Sequence, residues 1–272
     1  MTHQAPTPHR ARKRFGQNFL RDPGIIDRLV RSIHPVAGDR LVEIGPGQGA
    51  LTEGLLNGAN ALDVIELDRD LIPGLKTQFF NYPEFRVHQG DALAFDFRAL
   101  AAGERLRVVG NLPYNISTPL IFKLLEVHEV VEDMHFMLQK EVVERLAARP
   151  GGGQWGRLSI LAQYHCQVDH LFDVPPEAFV PRPKVDSAIV RLRPYKTSPF
   201  EATDPERLAR LVKQAFSQRR KTLRNNLKPL MAGEAIEALE IDPGKRPEAL
   251  TLDEYIRLTN ALPEEPAHDG HA

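Results

Sequence analysis

The chain of 272 residues is 42% hydrophobic and 26% charged, which suits an α/β core with a small accessory domain and excludes the disordered and membrane classes. No stretch reaches the ~18 consecutive apolar residues of a membrane span, Met1–Arg14 lacks the apolar core of a secretion signal, and the single cysteine, Cys166, excludes an internal disulfide and a cysteine-rich zinc site; the cytoplasm is the expected compartment. A formal net charge of −1 hides two basic stretches: seven Lys/Arg against Asp22 and Asp27 from Arg10 to Arg31, and eight against Glu206 alone from Pro205 to Lys228, each of which a polyanion would feel locally because screening acts over about 10 Å.

In chain order, residues 1–14 have no periodicity and are expected to be a disordered basic tail. Asp22-Pro23 reads as a helix start, with Ile25, Ile26, Leu29, Val30 and Ile33 on one face. Leu41–Ile44 reads as a buried strand, and an alternation follows: helix 51–56, strand 61–65, helix 71–80, strand 85–88, strand 106–110, helix 119–127, strand 130–138 and helix 140–148. Strands separated by helices at this spacing imply a mostly parallel, doubly wound sheet. Val168–Val174 and Ser187–Leu192 are joined only by a Pro-rich stretch, with no room for a crossover helix, so they are expected to pair antiparallel. A parallel sheet finished by an antiparallel hairpin is the arrangement of methyltransferases that use S-adenosylmethionine (SAM). After a linker at 195–203 the chain reads as helices only: 205–218, 221–231, 233–240 and 252–261. The expected organisation is a catalytic domain over 15–196, a small all-helical domain over 204–263 and a disordered tail over 264–272.

Glu43-Ile44-Gly45-Pro46-Gly47-Gln48-Gly49 lies where a strand gives way to a helix. Glycines there let backbone approach a ligand and adopt positive φ, although such a loop alone also serves as a plain turn. Its G-x-G-x-G spacing differs from the G-x-G-x-x-G of dinucleotide folds. Glu66 ends the second strand, where a carboxylate can accept hydrogen bonds from two ribose hydroxyls; Asp91 follows the third and can bond an adenine amino group; Asn111 ends the fourth. Ligands of open α/β sheets bind at the carboxyl ends of the strands, so Gly45, Gly47, Glu66, Asp91 and Asn111 are expected to converge on one crevice.

Asn111-Leu112-Pro113-Tyr114 is the most specific tetrapeptide of the chain. The N6 lone pair of adenine is delocalised into the ring, which makes the amine a poor nucleophile. A site that accepts hydrogen bonds from its N–H groups favours a pyramidal nitrogen aimed at a methyl donor. The Asn111 side-chain oxygen and the Pro113 carbonyl can be those acceptors, and Tyr114 can stack on an extruded base. A proline turn after a strand is the structural alternative. Phe179, in the loop between the last strands, can cover the other face of the base or simply plug the core. No strong base, metal cluster or activated serine competes for the site, so positioning should supply much of the acceleration.

Five segments together carry a resemblance: KRFGQNFL at 13–20, residues 43–52, NLPY at 111–114, FVPRPKVDS at 179–187 and FSQRRKTLRNNL at 216–227. They resemble the bacterial small-subunit (16S) rRNA adenine N6-dimethyltransferases, the KsgA/RsmA type, over essentially the whole ordered length. The resemblance implies SAM contacts from Asn18 and Leu20 besides the strand-end residues. It implies dimethylation of two adjacent adenosines in a 3′-terminal hairpin loop on a small (30S) subunit precursor, and a role in subunit biogenesis. It also implies that the basic helical segment with Arg219, Arg220, Lys221 and Arg224 meets RNA phosphates together with the N-terminal arm. The rival readings are a large-subunit (23S) rRNA adenine methyltransferase of the same fold and a non-catalytic small-subunit assembly factor. A DNA adenine enzyme fits less well, since its motif usually begins Asp-Pro-Pro-Tyr or Asn-Pro-Pro-Tyr. A monomer without metal is expected.

Overall fold

The computed structural model describes residues 18–200, 202 and 204–263. The basic arm up to residue 14, the KRFGQ part of the first motif and the tail over 264–272 lie outside the described residues. Two compact units emerge, one from Met1–Glu144 with Cys166–Pro194 and one from Arg145–His165 with Tyr195–Ala272.

The first unit is built on strands β1 (Phe19–Leu20), β2 (Leu41–Ile44), β3 (Ala61–Glu66), β4 (Glu84–Gln89), β5 (Leu106–Asn111), β6 (Val131–Gln139), β7 (Cys166–Val174), β8 (Phe179–Val180) and β9 (Ser187–Pro194). Seven of them form a sheet in the order β4-β3-β2-β5-β6-β9-β7. The pairs from β4 to β6 are parallel, and β9 runs antiparallel between β6 and β7. The antiparallel finish is therefore present, with the last strand lying between β6 and its hairpin partner β7.

Helices α1 (Pro23–Ile33), α2 (Thr52–Ala59), α3 (Ile72–Gln78), α4 (Phe97–Ala101) and α5 (Ser117–Glu126) belong to this unit, and α6 (Lys140–Leu146) follows β6. Asp22 caps α1 by accepting the Ile25 N–H at 3.0 Å, with Pro23 in the first turn, so the helix starts where Asp-Pro announced it. Leu29 and Ile33 of α1 join Leu55, Leu56 and Ala59 of α2 in one apolar cluster with Leu41, Leu62 and Met137. Arg107 ties the base of β5 to its surroundings, donating to Asp133 at 2.9 Å, Asp39 at 2.7 Å and the Ile33 carbonyl at 2.6 Å.

The chain leaves β2 toward β3 and β4 on one side and returns to β5 on the other. The sheet's topological switch point therefore lies between the carboxyl ends of β2 and β5. At Gly110 the two strands run so close that a Cβ would sit 2.6 Å from the Ile44 carbonyl oxygen.

The second unit holds α7 (Arg157–His165), α8 (Pro205–Ala215), α9 (Leu223–Leu227), α10 (Gly233–Glu237) and α11 (Leu252–Asn260). Leu208, Leu211, Val212 and Ala215 make the buried stripe of α8 at helical spacing, and Phe216 stacks on Tyr255 at 6.2 Å. Thr251 and Glu254 close a reciprocal capping box on α11.

Three expectations change here. The stretch 145–165, expected within the first domain, clusters with the helical unit instead: Trp155 donates its indole N–H to the Leu250 carbonyl at 2.8 Å and Gly151 N–H bonds the Glu248 carbonyl at 2.7 Å. Helix α7 escaped the periodicity because Leu158, Ser159, Ile160, Leu161, Ala162 and Tyr164 are all buried, leaving no contrast between faces. Arg219, Arg220 and Lys221 lie on a turn rather than a helix, since α9 begins only at Leu223. Asn226 holds that turn by donating to the Gln218 carbonyl at 3.1 Å, and Lys221 N–H bonds the same carbonyl at 2.9 Å.

Candidate active site

A cleft of about 620 Å³ opens at the switch point. It is lined by every residue that the sequence placed in a cofactor or catalytic role: Asn18, Leu20, Gly45, Gly47, Glu66, Asp91, Asn111, Pro113, Tyr114 and Phe179.

The floor comes from the loop after β2. Gly45, Gly47 and Gly49 have φ of 65°, 59° and 81°, conformations that L side chains rarely adopt. A Cβ on Gly45 would meet no protein atom within 4 Å, whereas on Gly47 it would press to 3.1 Å from the Phe19 ring. The backbone of this loop is thus bare toward the cleft at Gly45 and roofed by Phe19 at Gly47.

Glu66 ends β3 with its side chain buried. Its carboxylate accepts the Asp68 N–H at 2.7 Å and the Gly47 N–H at 3.3 Å. Burial raises its pKa, against the lowering by those backbone donors. The Leu67 N–H is a third backbone donor to this carboxylate, whose roughly four acceptor sites leave room for a further donor. Asp91, beyond the end of β4, is exposed to the cleft, and its Oδ1 caps the Leu93 N–H at 2.9 Å.

Below the loop, Glu43 is fully enclosed and accepts the Thr52 hydroxyl at 2.6 Å. Burial pushes its pKa up to about 7; the Thr52 bond lowers it and the charge of Glu66 adds to the rise. Glu43 and Thr52 are buttresses of the loop that the sequence patterns did not single out.

On the opposite wall, Asn111 ends β5. Its Nδ2 donates to the Asn18 carbonyl at 3.1 Å, which turns the amide so that Oδ1 is the group left to accept. Leu112 N–H bonds the Met137 carbonyl at 3.1 Å, and the Pro113 carbonyl accepts the Ile116 N–H at 3.1 Å. Pro113 therefore already closes a turn and offers its second lone pair. The Tyr114 hydroxyl lies 3.1 Å from Ser187 Oγ, in hydrogen-bond contact.

Phe179 sits where both readings of the sequence can be weighed. It is 3% exposed within the apolar cluster, yet it lines the cleft. The two-residue strands β1 and β8 pair antiparallel, Phe19 against Val180 and Leu20 against Phe179. The Arg21 N–H adds a bond to the Ala178 carbonyl at 2.8 Å, and the Arg21 side chain reaches Gln48. The 18–21 segment thus joins the glycine loop, Asn111 and the Phe179 strand. Nothing in the sequence signalled this pairing, because strands of two residues carry no period.

The four basic residues expected to meet RNA belong to the second unit and do not share one environment. Arg219 donates to the Gly153 carbonyl and Arg224 pairs with Glu237 at 2.8 Å. Arg220 and Lys221 are exposed on the turn.

Residues 8–264 match the family model described as ribosomal RNA adenine dimethylase. The chain is 67% identical, over 96% of its length and 97% of the relative's, to ribosomal RNA small subunit methyltransferase A of Pseudomonas aeruginosa. It is 63% identical to the protein of the same name from Chromohalobacter salexigens, over 95% of this chain and 94% of that one. Among solved structures it is similar to a dimethyladenosine transferase from Plasmodium falciparum, at TM-score 0.77 and 28% identity, over 88% of this chain and 95% of that one. The 23S rRNA methyltransferase ErmE follows at TM-score 0.73 and 25% identity, over 90% and 99%. With a family model matched over nearly its full length, the chain belongs to the ribosomal RNA adenine dimethylases.

Proposed function

We propose that this protein transfers methyl groups from SAM to the N6 of two adjacent adenosines in the 3′-terminal hairpin loop of 16S rRNA, on the small subunit, as part of subunit biogenesis in the cytoplasm. The observation that carries the reading is Asn111: an amide locked by Asn18 at a strand end, its Oδ1 left to accept, in a cleft also lined by Tyr114 and Phe179.

The cleft suits the cofactor in its donor set. A bare glycine backbone at Gly45, the buried Glu66 carboxylate and the Asp91 carboxylate match a ligand with a zwitterionic tail, a ribose and an adenine. When bound, SAM supplies an electrophilic methyl on a sulfonium. Glu66 would accept from ribose hydroxyls and Asp91 from the adenine amino group, while Leu20 and Asn18 line the cleft beside Phe179 and Asn111.

The target adenine must leave its stack to reach such a site. Tyr114 and Phe179 offer it aromatic faces, worth about 1–3 kcal/mol per stacked base. In the first transfer Asn111 Oδ1 and the Pro113 carbonyl accept the two N6 hydrogens; in the second, one of the two acceptors holds the single N–H that remains, and each arrangement favours a pyramidal nitrogen with its lone pair turned to the methyl. The chain's work is orientation, and the departing proton passes to solvent. Arg220 and Lys221, exposed on their turn, would meet RNA phosphates.

Relatives at 63–67% identity are named for the small subunit, which favours that substrate over the large one. The test is transfer of labelled methyl from SAM to small subunits lacking the modification, with large subunits in parallel. N6,N6-dimethyladenosine on the small subunit alone is expected. Label on the large subunit, or binding without transfer, would overturn the reading.

A further inference from the structure

We propose that Ser187 is a positioning residue for methyl transfer, holding Tyr114 at the tilt its ring needs against the target base; the inference rests on the reading of the cleft given above. Ser187 touches neither cofactor nor base in that reading. It acts through the Tyr114 hydroxyl, 3.1 Å from its Oγ.

The two partners are unequally anchored. Ser187 opens β9, is 1% exposed, and stands in register with Gln139 of β6 on one side and Val174 of β7 on the other. The Lys140 N–H pins the preceding carbonyl, that of Asp186, at 3.0 Å. Its hydroxyl therefore projects from backbone held between two strands. Tyr114 sits on the loop between β5 and α5, half-buried, with its carbonyl accepting the Ser117 hydroxyl at 3.2 Å. Loop backbone can swing, whereas the interior strand cannot, so the bond transmits the sheet's rigidity to the ring.

The same segment carries both walls. Phe179 begins the 179–187 stretch and Ser187 ends it, so one piece of chain supplies one aromatic face and tethers the other. Stacking falls off with tilt, and an amine offset by an ångström loses its line of attack. A hydroxyl that merely satisfied itself at a strand end would have no reason to affect turnover.

The test is a cycle of Ser187→Ala, Tyr114→Phe and the double variant in the full chain. It reads kcat and KM on small subunits, the Kd for SAM, and the melting temperature. Each single change should lower kcat about five- to tenfold, the net worth of one hydrogen bond, with the Kd for SAM unchanged. The double variant should be no slower than the slower single one, because one bond is lost in all three. Wild-type kcat in Ser187→Ala, or losses that multiply in the double variant, would overturn the proposal. Should Ser187→Ala not fold, Tyr114→Phe, which removes one oxygen from a half-buried ring, decides it: wild-type kcat there rejects the tether. Wild-type protein that methylates no small subunit defeats the underlying reading as well, whereas active wild type with unaffected variants defeats this inference alone.

Discussion

Asn111 ends a strand flanked by β2 and β6, with its amide tied to a carbonyl 93 residues away. Arg220 stands exposed on a turn held by two backbone carbonyls. The first position is defined to the atom by a sheet, and the second only by sign of charge. Catalysis of an unreactive amine needs the former, because orientation at the reacting centre depends on fixed geometry. Grip on a phosphate backbone needs only the latter, because counterion release is indifferent to fine placement. The proposed function thus divides the labour between the two units, one setting the rate of transfer and the other the affinity for RNA.

The sharpest way to break that division is Asn111→Ala. Single-turnover transfer should slow about a hundred- to a thousandfold, as when one preorganised polar contact at a reacting centre is removed, while SAM affinity falls only a few-fold. Equal losses in both would make Asn111 a cofactor ligand alone. Glu66→Ala should do the reverse, weakening SAM binding by about ten- to a hundredfold, the worth of hydrogen bonds to a charged group; isothermal titration measures it.

Glu43 tests the footing of the glycine loop. Its folded pKa of about 7 lies above its ordinary 4.5, so the folded state holds the extra proton between those values. Stability should therefore fall as pH rises from about 4.5 to 7. Glu43→Gln keeps an acceptor for Thr52 and lacks the charge. Urea unfolding should show the variant about 1–3 kcal/mol more stable than wild type at pH 8, and no such gain at pH 4. Parallel curves would clear Glu43 of the effect. The smallest change belongs to the turn: Arg220→Ala with Lys221→Ala should cost a few-fold in subunit affinity and flatten its log–log salt dependence by about one to two units. An unchanged slope would mean that these charges only face solvent.

The same contrast explains what could be read from the sequence. The switch-point cleft was legible because strand ends, glycines and Asn-Leu-Pro-Tyr leave local marks, and the Asp22-Pro23 start and the α8 stripe did likewise. Contacts between distant residues were not: Asn111 to Asn18, Tyr114 to Ser187 and β1 to β8 leave no trace in spacing. Helix α7 was missed because it is buried nearly all round, and residues 145–165 were assigned by proximity in sequence to the first unit, whereas they cluster with the second. The basic turn was read as helix because charge has no period.

Transfer at saturating small subunits tests the division of labour most directly, with wild type, Asn111→Ala and the Arg220→Ala/Lys221→Ala variant compared in single turnover. The basic-turn variant should reach the wild-type rate once subunits saturate it, while Asn111→Ala should stay slow at any concentration. A basic-turn variant that remains slow at saturation would contradict that division, because the turn would then be setting the geometry of the reaction and not the grip on RNA.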